Sequence, residues 1–318
     1  MYDIIIIGAG AAGLTAGIYA GRGGMKTLIF EKMFAGGQAA TTYEVANYPG
    51  FDETVSGTEL AMKFEKQAKK FGAKIISEDV QEIDVDDKIK KVITSKGTYE
   101  GKTLIIALGA TPRQIGLANE KKLRGMGVSY CATCDGAFYR DRVTAVVGGG
   151  DTAVEDALFL SRFCPKVYII HRRDELRAAK VLQEAAFKND KIEFIWDTVV
   201  EDIHGKDAVE GIRIKNVKDD STKELNVEGI FIAVGIEPHT DLVKGKVALT
   251  PQGYIETDDT MQTSKPGVFA AGDCREKILR QVITAASDGA TAAYAAERYI
   301  NETAGVYKKH TYKDDTVC

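Results

Sequence analysis

Over its 318 residues the chain has no apolar run approaching the eighteen or so residues needed to cross a bilayer, which argues against a membrane-spanning helix. Strong charge of one sign is missing as well. The formal net charge is −4 with 28% charged residues, which favours solubility and leaves no electrostatic footprint for nucleic acid. Cysteine is scarce, and its five copies, an odd number, do not suggest a secreted disulfide scaffold. Histidine is scarcer still. The four copies, His171, His204, His239 and His310, are dispersed, so no second ligand pair completes a zinc site around any two cysteines. Low-complexity tracts are absent. The N-terminus enters the apolar run Ile4–Ile7 at once, without a basic leader, so no signal peptide is expected and a reduced, cytoplasmic protein is.

The length is more than one core usually takes, so two domains of ordinary size are expected. Ile4–Ile7 is a continuous β-branched run, the pattern of a strand buried on both faces of a parallel sheet. It leads directly into Gly8-Ala9-Gly10-Ala11-Ala12-Gly13 and then an alanine-rich helical stretch, Leu14 to Gly21. Gly8 allows the tight turn, Gly10 lets a pyrophosphate approach the backbone, and Gly13 lets helix and strand pack closely. The phosphates then meet free N–H groups and the positive end of a helix. A second strand, Thr27–Phe30, ends at Glu31, where an acid binds ribose hydroxyls; this favours NAD or the adenosine half of FAD.

A second unit of the same design starts at Arg142. Val143–Val147 reads as a strand, Gly148-Gly149-Gly150-Asp151-Thr152-Ala153 as its glycine turn, and Ala153 to Phe163 as a helix. The next strand, Val167–Ile170, ends not in an acid but in His171-Arg172-Arg173, with Arg177 beyond. An acid would repel a 2′-phosphate, whereas guanidinium groups grip it as fixed forks, so this nucleotide is expected to be NADPH. A solvated basic turn is the plainer alternative. His171 by itself carries little weight, because a lone histidine is usually a polar surface residue.

Between the two glycine turns lies Cys131-Ala132-Thr133-Cys134-Asp135-Gly136. Two thiols at this spacing can close a small disulfide, and Asp135 can manage the proton when it opens. Half of a zinc site and a pair of core cysteines are the alternatives. Two phrases, Ile105 to Pro112 and Ile232 to Pro238, each end a strand in small residues and then a proline, a hinge or linker signal. They divide the chain into 1–113, 114–241 and 242–318, with an inserted domain of about 130 residues. Lys74 to Gly101 alternates charged and β-branched residues, as an antiparallel ribbon or small sheet does. The expected fold is α/β: two doubly wound dinucleotide-binding domains, one inserted in the other.

Together these strings resemble the low-molecular-weight thioredoxin reductases, in the family's motif order and over roughly residues 2 to 300: Cys131 to Gly136, Gly148 to Ala153 with His171-Arg172-Arg173, the strand Val268–Ala271 ending in Gly272-Asp273, and Arg280-Gln281 before Val282 and the small-residue helix Ala285 to Ala296. The resemblance implies FAD in the outer domain and NADPH in the inserted one. It implies that Asp273 contacts the ribityl chain, that Gly36, Gly37, Gln38 and Asn47 line the isoalloxazine side, and that Cys131, Cys134 and Asp135 carry the chemistry. A bland reading of Asp273 is an ordinary turn carboxylate. The resemblance further implies a homodimer, thioredoxin as the protein disulfide substrate, and rotation of one domain against the other between half-reactions. Two positions depart from the pattern. Leu108 stands where the family often has threonine, with little consequence for a backbone turn, and the single Cys318 cannot form the adjacent C-terminal pair of high-molecular-weight relatives. A flavin dithiol oxidase, a ferredoxin- or flavin-fed reductase and a non-catalytic redox sensor are the competing readings; the arginines after Ile170 argue against the first two. Cys134 is expected to face the flavin.

Overall fold

The computed structural model describes residues 1–42 and 44–307, so Cys318 and His310 lie outside the described residues. The chain divides into two compact units, one built from residues 1–111 and 238 onward, the other from Pro112–Glu237. The connections between them, Ala110–Pro112 and Ile236–Pro238, are paired as a two-stranded sheet.

In the first unit, parallel strands run in the order Lys74–Ser77, Thr27–Glu31, Tyr2–Ile7, Gly97–Ile106, Val268–Ala270. The isoleucine run shows why the order holds. Ile4 and Ile6 enter a core on one face, against the helices Ala11–Arg22, Gly57–Lys70 and Val282–Thr303. Ile5 and Ile7 enter a second core on the other face, with Ile83, Val92, Val243 and Ile255. All four are at most 3% exposed, so neither face tolerates a polar residue. Gly97–Ile106 serves two parts of one seven-stranded sheet in turn. Its first half pairs antiparallel with Lys90–Thr94, which continues to Val80–Asp84, and its second half lies in the parallel sheet. The antiparallel ribbon is therefore shorter than expected: Lys74–Ser77 is a parallel edge strand beside Thr27–Glu31. The helix Gly57–Lys70 precedes it, and a helical crossover returns the chain parallel, not antiparallel.

The second unit has its own all-parallel sheet, ordered Ile192–Ile195, Lys166–Ile170, Val143–Val147, Gly229–Ile232, Val128–Ser129. The helix Asp151–Leu160 packs on one face with Ala132 and Tyr139, while the antiparallel strands Thr198–His204, Gly211–Asn216 and Thr222–Leu225 bring Ile203, Ile212 and Leu225 to the other. That helix starts two residues earlier than its apolar spacing suggests, because Gly150 is extended and caps it directly. It stops at Leu160 in a turn that meets Pro165, a residue that cannot continue a helix. The C-terminal helix is longer than the stretch read from sequence, Val282–Thr303 against Ala285 to Ala296. Among the described residues, no helix is long and apolar enough to cross a membrane.

Candidate functional site

The first glycine turn is built from backbone collisions that side chains would cause. Gly8 has φ +103°, and a Cβ there would sit 2.3 Å from the Ala107 carbonyl oxygen. A Cβ on Gly13 would sit 1.8 Å from the Gly8 carbonyl oxygen, which is why helix and strand approach so closely here. Gly10 differs: the nearest atom to where its Cβ would be is the Gly37 Cα at 4.0 Å, so its bare backbone is uncrowded. The helix beginning at Ala11 has no side-chain cap and no acid in its first turn, leaving its positive end to an anion. Glu31 reaches back to this turn. Its Oε2 accepts from the Ala9 N–H at 2.9 Å and its Oε1 from the Met33 N–H at 3.1 Å, and each oxygen keeps a further lone pair.

Distant segments converge on the same turn. Gly36 donates its N–H to the Ala9 carbonyl at 2.7 Å, and a Cβ on Gly37 would lie 3.1 Å from the Gly10 Cα. Gln38 follows in the short helix Gly37–Ala40. Asn47 donates from Nδ2 to Gln281 Oε1 at 3.0 Å, joining two expected site residues across 234 positions of sequence. Gly272, at φ +80°, would press a Cβ to 2.9 Å from the Ala12 Cβ, and Val282 opens the C-terminal helix behind Gln281. Two polar atoms of this cluster are buried without a partner, Asp273 Oδ1 and Arg280 Nε. Arg280 lies 4.2 Å from the centre of the Tyr254 ring. Burial pushes Asp273 above its ordinary value, against the pull of Lys277 and Arg280. Orphaned polar atoms are costly unless a ligand satisfies them, and an open glycine backbone beside an uncapped helix suits a pyrophosphate. The residues fit FAD.

Sequence reasoning missed what holds this segment. Asp288, on the C-terminal helix and 7% exposed, accepts the Gly272 N–H at 3.0 Å and the Lys277 ammonium at 2.7 Å, with Arg275 at 3.5 Å. The only hint was an acid inside a stretch otherwise made of small residues.

In the second unit Gly148, at φ +152°, would place a Cβ 2.4 Å from the Ala233 carbonyl oxygen, and Gly150 faces open space. His171 is not a surface residue. It is 4% exposed, its ring lies where a Cβ on Gly149 would be, 2.3 Å away, and its Nε2 has no partner. Burial, then Arg177, Arg173 and Arg172, hold its protonation below the ordinary histidine range. The middle glycine of the three was the overlooked signal. Arg172, Arg173 and Arg177 are exposed and form no ion pair among the described residues, while the Arg177 N–H donates to the Gly149 carbonyl at 2.7 Å. Glycine turn and free guanidinium groups fit NADPH.

Cys131 and Cys134 are joined in a disulfide, so neither the zinc reading nor that of two separate core cysteines describes them. The pair sits at the start of the short helix Ala132–Asp135, where Cys131 is the cap residue and its Sγ accepts the Cys134 N–H at 3.2 Å. A thiolate at that position is stabilised by the helix N–H groups. Thr133 Oγ1 lies 3.3 Å from the same sulfur. Burial pushes the half-buried Asp135 carboxyl above its ordinary value, opposed by a Ser129 hydrogen bond of 2.6 Å and by Arg124. The other described cysteines are inert by comparison: burial raises Cys164, and pushes Cys274 up to about 11. Among the described residues, no cluster of three or more histidines, cysteines or carboxylates is disposed to hold a metal.

Residues 2–289 match the family described as pyridine nucleotide-disulphide oxidoreductase. The chain is similar to the thioredoxin reductase of Peptoclostridium litorale, with 50% identity over 308 residues, 95% of this chain and 98% of the relative. Similarity to the thioredoxin reductase of Listeria monocytogenes is 46% over 303 residues, 95% of each chain. Among solved structures, the thioredoxin reductase of Streptococcus pyogenes is 48% identical and superposes with a TM-score of 0.92, covering 95% of this chain and 99% of that one.

Proposed function

Because the chain belongs to the pyridine nucleotide-disulphide oxidoreductase family, as a low-molecular-weight thioredoxin reductase, we propose that it reduces the disulfide of thioredoxin with NADPH, through FAD and the Cys131–Cys134 pair. The observation that carries the reading is the disulfide itself, seated at a helix start beside Asp135 and within the unit that also holds the Gly148–Gly150 turn and Arg172-Arg173. Gly8, Gly10, Ala11, Gly13 and Glu31 would hold the adenosine and pyrophosphate of FAD; Gly37, Gln38, Asn47, Gly272, Asp273, Arg280 and Gln281 would hold its flavin side. Gly148, Gly150, Arg172 and Arg173 would hold NADPH. When bound, these cofactors supply the electron pair.

The chain's own residues do the rest. When the electron pair reaches the disulfide, the S–S bond breaks and one sulfur departs as a thiolate, to which Asp135 gives a proton. The helix N–H groups at Cys131 favour the thiolate that remains. In the second half, a thiolate of the pair attacks the acceptor disulfide and the other thiol resolves the mixed disulfide, restoring the Cys131–Cys134 bond. The dithiol and the NADPH residues share one unit, so alternate access to FAD calls for rotation about the connections near 113 and 242. A homodimer in the cytoplasm completes the proposal.

The test is anaerobic mixing of the yellow protein with NADPH and then oxidised thioredoxin, following flavin absorbance and NADPH loss. The expected outcome is rapid bleaching, then thioredoxin-dependent consumption. Bleaching without the second phase would replace thioredoxin by another acceptor. Flavin that NADPH does not bleach would overturn the assignment of Arg172 and Arg173.

A further inference from the structure

Ser129 ends the short strand Val128–Ser129, is 3% exposed, and touches both the acid and the backbone of the dithiol. Its Oγ accepts the Cys131 N–H at 3.1 Å. It lies 2.6 Å from Asp135 Oδ2, the length of a hydroxyl donating to an ionised carboxylate. The same Oγ lies 3.4 Å from the Cys131 carbonyl oxygen. A serine hydroxyl has one proton and two lone pairs, and the Cys131 N–H occupies one lone pair in every state. The proton can therefore serve Asp135 or the Cys131 carbonyl, but not both.

That arithmetic suits an acid that cycles. With Asp135 ionised, the Ser129 proton points to Oδ2. With Asp135 protonated on Oδ2, the carboxyl donates to the second lone pair of Oγ, and the serine proton turns to the Cys131 carbonyl. Both states are fully satisfied with no heavy atom displaced, which a fixed N–H donor could not achieve. We propose that Ser129 is a positioning residue for Asp135: its hydroxyl reverses direction as Asp135 gives up and regains its proton, holding the carboxyl in one orientation beside the Cys131–Cys134 pair. The proposal rests on the function argued above. In the step it serves, the disulfide takes up two electrons from NADPH through the flavin and one proton, giving one thiol and the thiolate that remains. Asp135 delivers that proton and recovers it from solvent.

Several groups other than Ser129 bear on that proton. Arg124 favours the ionised acid, Tyr139 faces it from the turn that follows, and Cys131 and Cys134 lie on its own helix. From the helix Asp151–Leu160, Asp156 lies toward the Ala132 amide, with Glu155 beside it.

The test reads the dithiol and not the acceptor, so it survives if thioredoxin proves to be the wrong substrate. FAD-loaded protein is reduced with dithionite, and the rate of iodoacetamide alkylation at Cys131 and Cys134 is followed against pH by mass spectrometry. In the wild type the profile carries an inflection from Asp135 that is absent in Asp135→Asn. Removing the hydroxyl in Ser129→Ala removes a bond that favours the ionised form, so the inflection moves up by about one pH unit, a tenfold change in the equilibrium. Ser129→Thr, which keeps the hydroxyl, restores it, and Ser129→Gly repeats the alanine result should that variant lose FAD. In the Asp135→Asn background, Ser129→Ala has no further effect. An unmoved inflection in both hydroxyl-free variants, or a Ser129→Ala effect that persists without Asp135, overturns the proposal.

Discussion

At the scale of single residues, charge and burial make separable predictions. Arg172 and Arg173 are exposed guanidinium groups without carboxylate partners, so their loss should cost phosphate recognition and little stability. Replacing both with alanine is expected to raise the KM for NADPH by about 10- to 100-fold. The KM for NADH should stay unchanged in steady-state assays. Asp156 makes a prediction of a different kind. Burial, and then Glu155, push its carboxyl up to about 7. Below about pH 4 it is protonated whether the chain is folded or not. As pH rises toward 7 the unfolded chain loses that proton and the native chain keeps it, so stability falls across this window and levels off above it. Urea melts from pH 4 to 8 should show a loss in the wild type that Asp156→Asn lacks, by a few kcal/mol at most. Equal losses in both would mean that Asp156 ionises normally. The turn at Gly8 and Gly10, with Glu31 reaching back to it, could be read at this scale because a dinucleotide fingerprint puts particular residue types at particular offsets. His171, Ser129 and Asp288 could not, because each acts on a neighbour that only folding supplies.

At the scale of elements, the two glycine turns separate packing from binding. Gly13→Ala drives a methyl to 1.8 Å from the Gly8 carbonyl oxygen, a backbone atom that cannot step aside, so strand and helix must part. Gly10→Ala meets only the Gly37 Cα, at an unstrained 4.0 Å, in the protein alone. The first variant is expected to lower the Tm of the FAD-free protein by several degrees and to lose FAD. The second should leave that Tm within a degree or so while weakening FAD affinity at least tenfold, if, as proposed, the pyrophosphate takes the space it fills. Matching melts with unchanged flavin content in Gly10→Ala would mean the nucleotide does not approach there. Strand identity was readable where both faces are buried, as in Ile4–Ile7 and Val143–Val147. It was less readable at Lys74–Ser77, where alternation suggested a ribbon. Alternation reports which faces are buried, whereas the direction of the neighbouring strand depends on the connection before it.

At the scale of the whole molecule, the chain leaves one unit, completes another and returns, and the crossings at Ala110–Pro112 and Ile236–Pro238 are the segments through which any rotation must act. A covalent cross-link between the two units should abolish thioredoxin-dependent NADPH oxidation while leaving FAD bound. Undiminished turnover in the fully linked protein would reject rotation.

The local parts could be read from the chain alone: two glycine turns, an acid after one strand and arginines after another, and a Cys-x-x-Cys with its aspartate. These are local because a tight turn, a helix start and a small disulfide are each built within a few residues of chain. Tertiary structure alone decided what those parts face. It set Asn47 on Gln281, Asp288 under Gly272, the His171 ring beneath Gly149, and Asp135 on Ser129. The first three pairings join residues far apart in the chain, and the last depends on a strand end meeting a helix. Such contacts exist only once the buried faces have packed, and no local pattern of residues records which polar groups will be left to satisfy one another.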